Sequence, residues 1–201
     1  MLIVLSVAFS ACHKDKEYVE EQIRDYELYI IDALGDSAVV RGFYDEDEKI
    51  AGLNVYIESD DEDVIVSVVE KAICASDTFL QENPDYILNE GYTVNINFAE
   101  ETNDNGSPGL DICQVSTHDK HDNTIGNQIT FIHVYHEPFI ETMIDRFDEM
   151  EYINCYSYSQ DQISKVAETY SNAKVIYVQT KEMAESFNNV YPGILFVGIR
   201  D

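Results

Sequence analysis

From Asn127 to Asp201, apolar segments recur at a near-constant spacing: Ile129–Tyr135, Tyr152–Tyr156, Lys174–Val178 and Ile194–Ile199. Their starts lie 20 to 23 residues apart. Each connector runs to about 15 residues and the first holds a helical pattern, Ile140, Met143, Ile144 and Phe147. A two-residue turn joins antiparallel strands, whereas parallel neighbours need a crossover of roughly a dozen residues or more, usually helical. The spacing therefore predicts a run of parallel β-α units over 127–201. Two architectures satisfy it, a solenoid-like stack and a compact layered α/β domain.

The N-terminal half reads differently. Apolar positions at Tyr18, Val19, Ile23, Tyr26, Leu28, Tyr29, Ile30 and Ala33 predict a helix that Gly35 ends. Extended segments follow at Ser37–Tyr44 and Ile50–Glu58, split by the acidic turn Asp45-Glu46-Asp47-Glu48. A helix over Asp61–Glu82 buries Val64, Val68, Ala72, Ile73, Ala75, Phe79 and Leu80, with acids at its start and Asn83-Pro84 at its end. Strands at Tyr92–Ala99 and Leu110–Ser116 complete an α-β-β-α-β-β order on a mixed sheet. The fold class is α/β, divided into an α+β domain over 18–117, a linker loop over 118–126 and a β-α repeat domain over 127–201.

The spacing in the C-terminal half resembles that of leucine-rich repeats, which stack one strand and one helix in each short repeat. Met150-x-x-Ile153-x-Cys155 and Ala173-x-x-Ile176-x-Val178 loosely follow the strand pattern of that family. If Ile132, Ile153, Ile176 and Leu195 face the helices, then Phe131, His133, Tyr135, Tyr152, Tyr156, Tyr177 and Phe196 line the opposite sheet face. Such an aromatic surface suits a peptide, protein or glycan, unless another layer covers it.

At the other end, Met1–Ala11 is uncharged and stops at Cys12, before the polar stretch His13-Lys14-Asp15-Lys16-Glu17. Eleven residues, nine of them apolar, are too few to span about 30 Å of hydrocarbon as a helix, but they match the apolar core of an export signal. Phe9-Ser10-Ala11-Cys12 resembles the lipobox of bacterial lipoproteins. Phe9 replaces the usual aliphatic residue, and the basic stretch that usually opens such a segment is missing. The resemblance implies a signal peptide over 1–11, diacylglycerol on Cys12, a tether over 12–17 and an extracytoplasmic protein anchored to the membrane of the cell envelope.

Charge narrows the partners further. Twelve Lys and Arg against 39 Asp and Glu leave a net charge of −27, a field that repels nucleic-acid phosphates. Neither a phosphate-binding glycine loop nor a serine-hydrolase elbow is present, so no catalytic motif and no cofactor is implied. His118, Asp119, His121 and Asp122 could converge on a metal, the basis of an alternative reading as a metal-dependent hydrolase. His133 and His136, three apart on a strand, leave opposite faces and cannot share an ion. Aligning Gly106 of Asn103-Asp104-Asn105-Gly106 with the glycine of a calcium loop puts Glu101 first and Ile112 where the bidentate Glu belongs, so that pattern fails, and Asn105-Gly106-Ser107-Pro108-Gly109 reads as a turn. Cys74, Cys113 and Cys155 each sit in apolar patterns and read as buried thiols, with a Cys74–Cys113 disulfide left open. The expected function is that of a lipid-anchored binding or scaffold protein.

Overall fold

In the computed structural model, residues 3–84, 92–100, 110–117, 128–135 and 150–200 are described, with side chains from residue 17 onward. Helix α1 (Ile3–Leu34) leads to the hairpin β1 (Val39–Asp45) and β2 (Ile50–Ile57). Helix α2 (Glu62–Glu82) precedes β3 (Thr93–Glu100), β4 (Asp111–Ser116), β5 (Phe131–Val134) and β6 (Tyr152–Asn154). Helix α3 (Gln160–Thr169), β7 (Val175–Thr180), α4 (Lys181–Val190) and β8 (Leu195–Arg200) follow.

These strands form one sheet in chain order, β1 to β8. The β1/β2, β3/β4 and β4/β5 pairs are antiparallel, and β2/β3 is parallel across α2. From β5 to β8 every pair is parallel, as the connector lengths require. Chain-order parallel neighbours are also what a solenoid-like stack of β-α units produces. The sheet runs straight across the expected linker, since Ser116 on β4 pairs with Phe131 on β5.

One row of side chains explains why the sheet holds together. Register aligns Leu53, Ile96, Val115, Ile132, Ile153, Ile176 and Phe196 on seven successive strands, all of them buried. Each contributes about 1.5–3 kcal/mol on leaving water. The helices cover this side. Gly42 on β1 lies so close beneath α1 that a Cβ there would sit 2.5 Å from Ile23 Cγ2. Val19, Ile23, Tyr26, Ile30 and Leu34 make the buried stripe of α1, and Tyr26 stacks on Phe79 of α2 with ring centres 5.0 Å apart. Ile163, Val166 and Ala167 of α3 and Ala184 and Phe187 of α4 join the same core.

The helix ends follow local chemistry. Asp61 caps α2, its Oδ1 accepting from Asp63 N at 3.0 Å and Val64 N at 3.4 Å. Ser159 and Gln162 form a reciprocal capping box on α3. Gly35, at φ +58, takes the left-handed conformation that ends α1.

Several expectations are corrected. The helix expected from Tyr18 starts at Ile3, so the backbone is helical through Cys12 and the tether over 12–17; the run His13–Glu17 has no Gly or Pro to break it. Val64 is exposed in the first turn of α2; Val68, Ala72, Ile73, Phe79 and Leu80 are buried as expected, and Ile65, Val66 and Val69 join them. Cys74 is exposed on the outer face of α2, while Cys113 and Cys155 are buried; all three are free thiols. Among the described residues no helix is long and apolar enough to cross a membrane.

Candidate functional site

The side of the sheet turned away from the helices is built from two rows fixed by the same register. One contains Gly52, Asn95, Ser116, Phe131, Tyr152, Val175 and Leu195. The other contains Asn54, Asn97, Gln114, His133, Asn154, Tyr177 and Val197. Gly52 is obligatory, because a Cβ there would lie 1.7 Å from the carbonyl oxygen of Asn95.

Phe131, His133, Tyr152 and Tyr177 therefore share the face expected of them, and Tyr135, two residues beyond His133, holds its ring 4.2 Å from the imidazole. Phe196 does not share it. Register pairs Phe196 with Ile176 on the helix side, where it stacks on Phe187 of α4 at 5.2 Å, and Leu195 takes the opposite side, 55% exposed. Gly198 carried a usable signal: two residues from Phe196, it lies where a Cβ would meet Lys181 N of α4 at 2.4 Å. A residue that must be small marks the side on which a helix packs.

Exposure varies along the face. Tyr135 is 45% exposed and His133 and Tyr152 are half-buried, whereas Phe131 and Tyr177 are each only 3% exposed. Neither buried ring joins the core cluster under the helices. Phe131 and Tyr177 are thus packed within the face rather than presented by it, contrary to their expected role as open contacts. Tyr156 lies just beyond β6, with the Arg200 guanidinium over its ring at 4.7 Å. Lys174 Nζ sits 5.9 Å from the Tyr152 ring centre and is tied by a 2.6 Å ion pair to Glu151.

The polar members form a ladder that the sequence pattern did not single out. Asn97 donates to Asn54 at 3.0 Å, Gln114 donates to Asn97 at 2.9 Å, and Ser116 donates to Asn95 at 2.7 Å. Asn, Gln and Ser at the outward positions of alternating strands look like ordinary solvated residues until register places them side by side. Beside the ladder lies a hollow of about 390 Å³, lined by Glu48, Ile50, Thr93, Asn95, Gln114, Ser116 and Phe131. Partial burial, helped by the negative charge of Asp111, raises the Tyr135 phenol above its ordinary pKa and keeps it a neutral donor.

A second hollow of about 490 Å³ lies between α1 and the end of α2, where Glu21, Asp25 and Glu82 face it. Among the described residues no group of three His, Cys, Asp or Glu is placed to hold a metal ion. His118, Asp119, His121 and Asp122 lie outside the described residues, as do His136, the 103–109 turn and the connector with Ile140 and Phe147. No family model, curated protein or solved structure matches this chain.

Proposed function

We propose that this chain is a binding or scaffold module held at the outer side of a membrane by a lipid on Cys12, with the sheet face opposite the helices as its contact surface. The observation that carries the contact surface is the exposure of Tyr135 and Leu195 on the side of the sheet opposite the row that packs with the described helices. Half-open aromatic and aliphatic side chains beside a polar hollow are the ordinary makings of a ligand site. The ligand class is peptide, protein or glycan rather than nucleic acid, which the charge of −27 repels.

The anchor rests on the composition break at Cys12 and on the likeness of Phe9-Ser10-Ala11-Cys12 to a lipobox. Several acyl chains on one cysteine would hold the protein firmly, at about 0.8 kcal/mol per buried methylene. Labelled palmitate should enter the wild-type chain and not Cys12→Ala. Equal labelling of both would refute the anchor. The contact surface is tested separately, by substituting Tyr135 and Tyr152 with Ala and measuring retention of bound ligand against thermal stability. Loss of ligand with unchanged stability is expected, and retained binding by the doubly substituted chain would place the contact elsewhere.

A further inference from the structure

Charge is sparse along the middle of this face. A quarter of the chain is charged, and the solvent side of a sheet is where charged residues ordinarily go. Yet neither outward row holds an Asp, Glu, Lys or Arg from β2 to β8, and the row of Asn54 and Asn97 meets its one cation, Arg41, at β1. Among the described residues the charged groups stand at the margins of the face: Arg41 and Asp45 on β1, Glu48 at the hairpin, Asp111 at the start of β4, and Lys174 with Glu151 beside Tyr152. A partner suited to such a strip is itself uncharged, and the surrounding field of −27 turns anions away.

The strip is also rich in unused hydrogen-bonding capacity. The ladder fixes its amides but spends only part of each. Asn54 Nδ2 carries two N–H groups with no partner among the described residues, and Asn97 and Gln114 each spend one of two. Next to these donors the Tyr135 ring, 45% exposed and packed on His133 at 4.2 Å, offers an apolar face. An extended peptide that adds as a strand needs a free edge, and the strands under the ladder, β2 to β5, are paired on both sides. Hydroxyl-bearing rings need no edge: their hydroxyls pair with amides and their C–H faces lie on aromatic rings.

We propose that the strip formed by Asn54, Asn97, Gln114, His133 and Tyr135 binds a neutral oligosaccharide. This rests on the reading of the same face as the contact surface and names its ligand. The probes are neutral hexasaccharides of glucose, xylose and N-acetylglucosamine, with an oligogalacturonate as the anionic control, titrated into the full chain by calorimetry and saturation-transfer NMR.

At least one neutral hexasaccharide should bind saturably, with little change when salt is raised to about 0.5 M, because no ion pair contributes. The oligogalacturonate should not bind. Asn97→Leu and Gln114→Leu should each weaken binding about tenfold, the worth of one or two hydrogen bonds. Asn54→Ala, at the end of the ladder, gives a milder variant with the same direction should either of those fail to fold.

Binding indifferent to all three substitutions overturns the assignment. If no hexasaccharide binds but a polypeptide crosslinks at Tyr135, the sugar falls and the contact surface stands. If neither occurs, both fall.

Discussion

Asn188, in the last turn of α4, spans the outer edge of β8 at Phe196: its Nδ2 donates to the Phe196 carbonyl at 3.0 Å and its Oδ1 accepts from the Phe196 N–H at 2.8 Å. Leu195 N donates inward, to Lys174 O near the start of β7, so the neighbouring Phe196 turns its backbone groups outward. A side-chain amide thus occupies the place a further strand would take. Open edges invite pairing between molecules, and this one is blocked at Phe196. Asn188→Ala should cost about 1–2 kcal/mol and produce concentration-dependent association, read by urea melts and light scattering. Unchanged stability together with a strictly monomeric variant would show that the edge needs no guard.

Burial divides the aromatic residues of the outward face into two kinds. Tyr177→Ala should destabilise the fold by about 3–5 kcal/mol, as expected of a packed aromatic ring. Tyr135→Ala should stay within about 0.5 kcal/mol of wild type. Denaturant midpoints compare the two directly. Equal losses would mean that Tyr135 is held as tightly as Tyr177.

Much of this architecture was legible in the sequence. The spacing of Ile129, Tyr152, Lys174 and Ile194 required parallel strands, and register then aligned Ile132, Ile153 and Ile176 on one side as alternation implied. Alternation failed at β8, because Leu195, Phe196, Val197 and Ile199 are apolar at both parities and the pattern cannot choose a side. Packing against Phe187 made the choice. At Cys74 an apolar neighbourhood was mistaken for burial, although on a helix Ala72 and Ile73 can face the core while the next residue turns outward. The amide ladder lay beyond reach for another reason: Asn54, Asn97 and Gln114 are 17 to 43 residues apart in successive bonded pairs and meet only through register.

Helix α2 depends on a cap that the sequence did signal through its acidic start. Asp61→Ala removes the acceptor for Asp63 N and Val64 N and should cost about 1 kcal/mol. Asp61→Asn should recover most of it, since the amide oxygen still accepts. A lower melting temperature for Ala than for Asn is the expected order; equal values would leave the cap without energetic weight.

High pH should unfold this protein early. Burial raises the thiols of Cys113 and Cys155 above their ordinary 9.0 and the phenols of Tyr26 and Tyr158 above their ordinary 10.0. With folded pKa values above the unfolded ones, the stability these groups contribute is fully present below about pH 9. Above it the unfolded chain releases protons first, and stability falls by up to about 1.4 kcal/mol per pH unit for each group. Urea midpoints should therefore drop steeply between about pH 9 and pH 11, and less steeply in Tyr26→Phe. A flat profile there would contradict the burial of these groups.

The proposed contact surface is tested most directly by a photo-crosslinking amino acid placed at Tyr135 or Leu195 on the outward face, and at Leu28 on the exposed side of α1 as a control. Illumination of intact cells followed by mass analysis should give a defined adduct, saturable and competed by excess unlabelled protein, from the two face positions and none from Leu28. An adduct at Leu28 alone, or equal yields at all three, would contradict the account.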